Sequence, residues 1–277
     1  MSRRTFFREM GRYGGYLLLA IVVLLPLSWV VLSSFKHPSE IFTYPPTIFP
    51  RRFVITNYLD VLSRTEMGLY LFNTVIVAVL SMVLTLGISA PAAYGFSSYR
   101  FKMKHTLLVA MLGLQLIHGS VNIIPYYIMM AKMGLLNRLS GLILIFAAIR
   151  VPFAIWILKA HFDTIPPSLA ESARLDGCSS PRILWSIILP LSLPGLGAAG
   201  FLTLLFSWGQ FLLPLVVASS RETMLVAVGL YSFFGTEGVV SYHYLFAASV
   251  ITSVPLVIGY LLTQRSFISG LTQGAVK

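Results

Sequence analysis

Six stretches of this chain consist almost wholly of apolar side chains, and short polar stretches separate them. They are Tyr13–Phe35, Gly68–Tyr99, Thr106–Ala131, Leu139–Leu158, Ile183–Ser220 and Val239–Gln264, and Arg150 is the only charged residue within them. A bilayer core of about 30 Å is crossed by roughly 20 helical residues. Every backbone group in lipid must bond internally, so a spanning segment is a helix or a closed barrel strand. These runs are continuously apolar, without the alternation a barrel strand needs. The pattern predicts an all-α membrane protein of six transmembrane helices in a single domain, residues 1–277. The fifth run is too long for one straight span, and Pro190, Pro194, Gly195, Gly197 and Gly200 predict a kink and a close-packing surface in it.

Composition agrees with the pattern. The chain is 57% hydrophobic and 10% charged, against about 25% charged in a soluble globular domain. That excludes a water-soluble fold. The net charge of +11 is assigned to topology and lipid headgroups rather than to nucleic acid, because no soluble basic domain is present to hold one. The start, Ser2-Arg3-Arg4-Thr5-Phe6-Phe7-Arg8, resembles a twin-arginine export signal. The apolar run after it is too long for a signal core and no Ala-x-Ala site follows, so it is read as an uncleaved first span.

Basic residues mark the cytoplasmic side. Arg3, Arg4, Arg8 and Arg12, then Arg100, Lys102 and Lys104, then Lys159, Arg174 and Arg182, then Arg265 and Lys277 fall on the side of the N-terminus. The opposite side holds fewer and is diluted by Glu40, Asp60, Glu66, Glu222 and Glu237. Both termini are therefore expected in the cytoplasm. The outside segment from Lys36 to Met67, rich in proline, is expected to be extended. A second outside loop is expected at Arg221 to Tyr242, and Phe233–Gly238 within it reads from sequence as a flexible tip.

The polar connector between the fourth and fifth runs, about residues 163–186, carries more than a loop needs. Pro166-Pro167 stops the preceding helix, and Ser168 with Glu171 forms a candidate capping box for a new one. Leu169, Ala173 and Leu175 offer an apolar face; Glu171, Arg174 and Asp176 offer a charged one. Gly177 can take the left-handed conformation that ends a helix. The product is a short amphipathic helix on the cytoplasmic side, tied to two spans.

Glu171-Ser172-Ala173-Arg174-Leu175-Asp176-Gly177, followed by Ile187-Ile-Leu-Pro190, resembles the cytoplasmic EAA loop of binding-protein-dependent ABC importer permeases. Further blocks are similar to the carbohydrate subfamily, specifically the smaller permease of the maltose-transporter type. These are Asn57-Tyr58, Phe72-Asn73-Thr74, Ala92-Ala93-Tyr94-Gly95-Phe96, Pro125-Tyr126, Gly134-Leu-Leu-Asn137, Pro152-Phe153, Phe162-Asp163-Thr164-Ile165-Pro166 and the tail Gly270–Lys277. The chain departs from the family at Ser172, where a second alanine is usual, and at Trp208-Gly209-Gln210-Phe211, where many relatives carry Trp-Asn-Glu before Phe.

The resemblance implies a bacterial inner-membrane subunit. It would work with a second, different permease, two copies of an ATPase that bind ATP and magnesium, and an extracytoplasmic sugar-binding protein. On that analogy Glu171, Ser172, Ala173, Arg174, Asp176 and Gly177 meet the ATPase. The tail residues Gln273, Gly274 and Lys277 reach toward the same interface, and Gly235, Thr236 and Glu237 probe the binding protein. The cargo would be a sugar or sugar derivative, and the chain itself would need no cofactor.

Other candidates carry two readings each. Gln115, His118 and Asn122 form a polar pore face or supply helix-to-helix hydrogen bonds. Trp208 and Gln210 contact sugar or serve packing. Arg150 is a pathway or inter-subunit charge, or an arginine that snorkels to the interface. Tyr126, Tyr127, Tyr242 and Tyr244 read as an interfacial belt.

The residues weigh against other functions. The pattern Gly-x-x-x-x-Gly-Lys-Ser/Thr is absent from the 277 residues, so ATP hydrolysis falls to a partner. A secondary transporter tends to use intramembrane acids, and none lies in the six runs. The single cysteine, Cys178, and five scattered histidines offer no metal or nucleophile constellation for a membrane enzyme.

Overall fold

The computed structural model describes residues 3–116, 119–234 and 241–272, with the side chains of residues 9, 11–116, 119–234 and 241–264. Among the described residues regular structure is helical throughout, with no strand. The chain divides into two compact units: residues 1–68 with 230–254, and residues 69–229 with 255–277.

Among the described residues, four helices are long and apolar enough to cross a bilayer by themselves. They lie in α1 (Arg3–Ser34), α3 (Met67–Ser98), α6 (Leu139–Phe162) and α12 (Tyr242–Thr272), and they match the first, second, fourth and sixth runs. The fifth run is bent. Helix α8 (Ser180–Leu191) meets α9 (Leu193–Trp208) at 82°. Pro190 and Pro194 flank the junction at Ser192, and a proline both lacks the N–H for the helical ladder and crowds the preceding turn. A π turn at Leu184–Ile188 further loosens α8. The expected kink is thus present.

The third run differs from its expectation of one continuous helix. It forms α4 (Lys104–Gln115) and α5 (Ile123–Lys132), about 18 and 15 Å long at the helical rise and each too short to cross alone. The break falls beside Gly119-Ser120 and Asn122. These residues favour turns, but the apolar residues around them mask the signal.

In the first unit the segment after α1 is not simply extended. It holds a 3-10 turn, Pro38–Glu40, and a helix, α2 (Thr56–Arg64). Asn57 sets α2 in place: its amide donates to the carbonyls of Ser34 (2.9 Å) and Lys36 (3.0 Å). Tyr58 adds a hydroxyl contact to Ser34 Oγ at 2.6 Å and packs on the ring of Phe35. The Lys36 side chain is buried, donates to the Thr47 carbonyl and lies over the Trp29 ring.

Among the described residues, the second unit has two apolar clusters. One gathers Val77, Met130, Leu142, Ile145 and Phe146 with Leu213 and Val217 of α10 (Leu212–Val217). The other gathers Ala90, Ala93 and Tyr94 of α3, Ile155, Leu158 and Phe162 of α6, and Ile183, Leu184 and Ile188 of α8. Buried Ser81 and Ser89 on α3 donate to the carbonyls of Ile143 and Val151 on α6, the polar cross-linking that apolar surroundings reward. Asn73 reaches across the sequence to the carbonyls of Glu222 (2.9 Å) and Met224 (3.1 Å). Thr74 Oγ1 accepts from the Val226 N–H at 2.9 Å, at the start of α11 (Val226–Ser232).

Candidate functional site

The connector forms a helix, α7 (Pro167–Leu175), between α6 and α8. It starts differently from the expected capping box. Pro166 is the cap residue, no side chain caps the helix, and Pro167 opens its first turn. A proline at the first helical position needs no N–H partner and already has a helical φ, so Ser168 lies inside the helix. The end is as expected. Gly177 has φ +80°, its N–H donates to the Arg174 carbonyl, and the Cys178 N–H donates to the Ala173 carbonyl at 2.9 Å. That pair of bonds is the Schellman closure.

One side of α7 is anchored. Ala173 is 7% exposed and joins the cluster of α3, α6 and α8, with Ile165, Ala170 and Cys178 packed beside it. The other side is open: Glu171, Ser172, Arg174, Asp176 and Gly177 are exposed. Leu175, expected on the apolar face, is 89% exposed. The Arg174 guanidinium lies over the Tyr99 ring, whose hydroxyl meets Ser180 Oγ at 2.7 Å. Asp163, just before α7, accepts from Ser97 Oγ at 2.7 Å and pairs with Lys159. The helix is thus rigidly mounted and presents a ridge of polar side chains.

A second feature lies among α4, α5, α6, α9 and α10. A cavity of about 720 Å³ brings together Gln115, Asn122 and Gln210, three of the four residues expected on a substrate path. Trp208 is 8% exposed and lies outside that lining. Gln115 supplies the helix-to-helix hydrogen bond of its second reading, its amide donating to the Ile149 carbonyl on α6 at 3.0 Å, while it lines the cavity. Tyr126, Phe206 and Phe211 complete the wall. Tyr126, read from sequence as an interfacial tyrosine, lines the cavity. The mixture of amides and aromatic faces suits a polyhydroxylated ligand, which offers hydrogen-bonding edges and apolar faces.

Arg150 packs inside the protein rather than snorkelling. Its guanidinium lies 4.2 Å from the Phe153 ring centre and 4.8 Å from that of Phe206. Its Nε is buried with no hydrogen-bond partner among the described residues. His118, Gly235, Thr236, Glu237, Gln273, Gly274 and Lys277 lie outside the described residues.

Several membrane-length helices, a polar cavity among shorter ones and a mounted polar helix between two spans define a multi-pass helical membrane protein. Residues 65–270 match the binding-protein-dependent transport system inner membrane component family, and the chain belongs to it. A probable ABC transporter permease protein of Bacillus subtilis (strain 168), YurM, is 34% identical over 281 residues, covering 99% of this chain and 91% of that protein. The trehalose/maltose transport system permease protein MalG of Thermococcus litoralis is 33% identical over 266 residues, covering 95% of each. The fold is that of a chain in the crystal structure of a bacterial ABC transporter involved in the import of the acidic polysaccharide alginate. There the TM-score is 0.83 at 21% identity, with 96% of this chain and 99% of that chain covered. The protein is therefore a multi-pass inner-membrane permease subunit and not the ATPase of its transporter.

Proposed function

We propose that this permease passes a sugar or oligosaccharide, delivered by an extracytoplasmic binding protein, and is driven through α7 by partner ATPases. The observation that carries this reading is the mounting of α7: Ala173 is held in the core while Glu171, Arg174 and Asp176 stand exposed. Relatives named for trehalose and maltose, for arabinooligosaccharides and for maltodextrin support a carbohydrate cargo. So does the cavity with its amide and aromatic wall.

In this reading the chain crosses the membrane six times, with α4 and α5 together forming the third crossing and α8 and α9 the fifth. Both termini are cytoplasmic, and α7 is a cytoplasmic coupling helix. Residues 1–277 act as one permease domain; the family match from 65 to 270 draws on both compact units. A second permease completes the path, two ATPase subunits bind ATP and magnesium, and no cofactor is needed in this chain. Glu171 accepts a charge-assisted bond from a basic ATPase residue, worth about 1.5–3 kcal/mol. Gln273, Gly274 and Lys277 reach toward the ATPase, and Gly235, Thr236 and Glu237 toward the binding protein.

The test is Glu171→Lys. It reverses the charge at an exposed position, so membrane insertion is expected to be unchanged while ATPase co-purification and uptake are both lost. Normal uptake in this variant sinks the coupling assignment.

A further inference from the structure

A second cavity, about 440 Å³, lies beneath α7 where α3 and α6 end. Its wall includes Tyr94 and Ser97 of α3, Arg100 and Lys104 just beyond it, and Glu171 and Arg174 of α7. Asp163 also borders it but is already paired with Lys159 and Ser97. Three cations therefore face one unpaired acid, Glu171, which stays exposed at the rim. Lys104 spends one ammonium proton on the Tyr99 carbonyl at 3.2 Å and has two more to give. The Arg100 side chain has no hydrogen bond or ion pair among the described residues.

Tyr94 adds an independent sign. It is 5% exposed, and its hydroxyl is buried with no hydrogen-bond partner among the described residues. Folded proteins avoid buried orphan hydroxyls, and each one calls for an explanation. A cavity wall with such a hydroxyl and surplus cations is short of one acceptor-rich, negatively charged group.

We propose that this cavity holds a phosphoryl group, gripped by Arg100, Lys104 and Arg174. Two sources share that chemistry: the headgroup of an anionic phospholipid and a soluble phosphate. The position where two apolar spans give way to polar chain is the level at which headgroups lie, and basic pockets between helices there take anionic lipids. The bound group touches the end of α3 and the face of α7 at once, so it fixes the docking helix to the bundle. The inference uses the membrane-edge placement of α7 given above, but not the identity of the cargo.

The experiment uses the assembled transporter, washed in a neutral detergent and loaded with phosphatidylglycerol. Retained phospholipid is counted by native mass spectrometry. Arg100→Gln and Lys104→Gln are each expected to weaken retention about fivefold, the factor for one Lys or Arg at an anionic surface. Tyr94→Phe, which keeps the ring, is expected to weaken it as well. Lys102→Gln, a cation of the same segment outside the cavity wall, is the control and is expected to change nothing. Inorganic phosphate is then added to the loaded complex. Displacement with the same variant sensitivity assigns the site to soluble phosphate, and lipid that stays bound assigns it to the headgroup. Equal losses in Lys102→Gln and the cavity variants, or no loss in any of them, overturn the proposal. Co-purification of the ATPase with each variant separates this outcome from a failure of the coupling reading, which Glu171→Lys tests alone.

Discussion

Asn57 in α2, Asn73 near the start of the second apolar run and Asn137 just before the fourth are each a clamp. Asn57 and Asn73 hold two backbone carbonyls apiece. Asn137, in the left-handed region at φ +52°, accepts from the N–H groups of Ser219 and Ser220 at 3.0 and 3.1 Å and donates its own N–H to the Val217 carbonyl. The blocks Asn57-Tyr58, Phe72-Asn73-Thr74 and Gly134-Leu-Leu-Asn137, read from sequence as similar to the family, are joints of this chain's fold. Their partners could not be read from sequence, since Asn73 and Met224 are distant along the chain. Removing a buried amide strands the carbonyls it served, at about 1–3 kcal/mol. Asn73→Ala is therefore expected to lower the melting temperature of the purified protein while leaving α7 competent for its partner. An unchanged melting temperature would show that water replaces the amide.

Among the elements, the straight spans were legible and the broken ones were not. Continuous apolarity and length sufficed for α1, α3, α6 and α12. In the third run the same apolarity hid the turn at Gly119–Asn122 and so hid the cavity that this turn creates. Helix α2 was missed because proline dominates the segment around it. The end of α7 was legible in Gly177, but its beginning was not, because Pro167 outcompeted a capping serine one residue later. Two substitutions test these elements. Gly177→Ala forces a side chain into a left-handed turn at about 1–2 kcal/mol; a weaker ATPase association is expected, with Gly177→Asn retaining most of it, and equal association in both variants would show that the closure of α7 is dispensable. At the crossing of α6 and α9, a methyl group on Gly195 meets the His161 ring at 2.7 Å. Gly195→Ala is expected to destabilise the bundle by about 1–3 kcal/mol through overpacking, read as a lower denaturation midpoint.

For the whole molecule, the cavity and α7 belong to the same compact unit, residues 69–229 with 255–277. Three of the four path residues named from sequence line that cavity, since Gln115, Asn122 and Gln210 are polar where their neighbours are apolar. Trp208 does not, because helical phase, invisible without the bend at Ser192, turns it into the core. Gln115→Ala with Gln210→Ala is expected to reduce uptake at least several-fold while ATPase co-purification is unchanged. Full uptake in the double variant removes the cavity from the path. The 82° bend between α8 and α9 carries a further consequence. Helix α8 packs against α7, whereas α9 leads to Gln210 on the cavity wall. On the coupling proposed for α7, a push arriving there cannot run straight down one rigid rod to the cavity. It would have to turn a corner at Ser192, and the bent span would then work as a crank rather than as a piston.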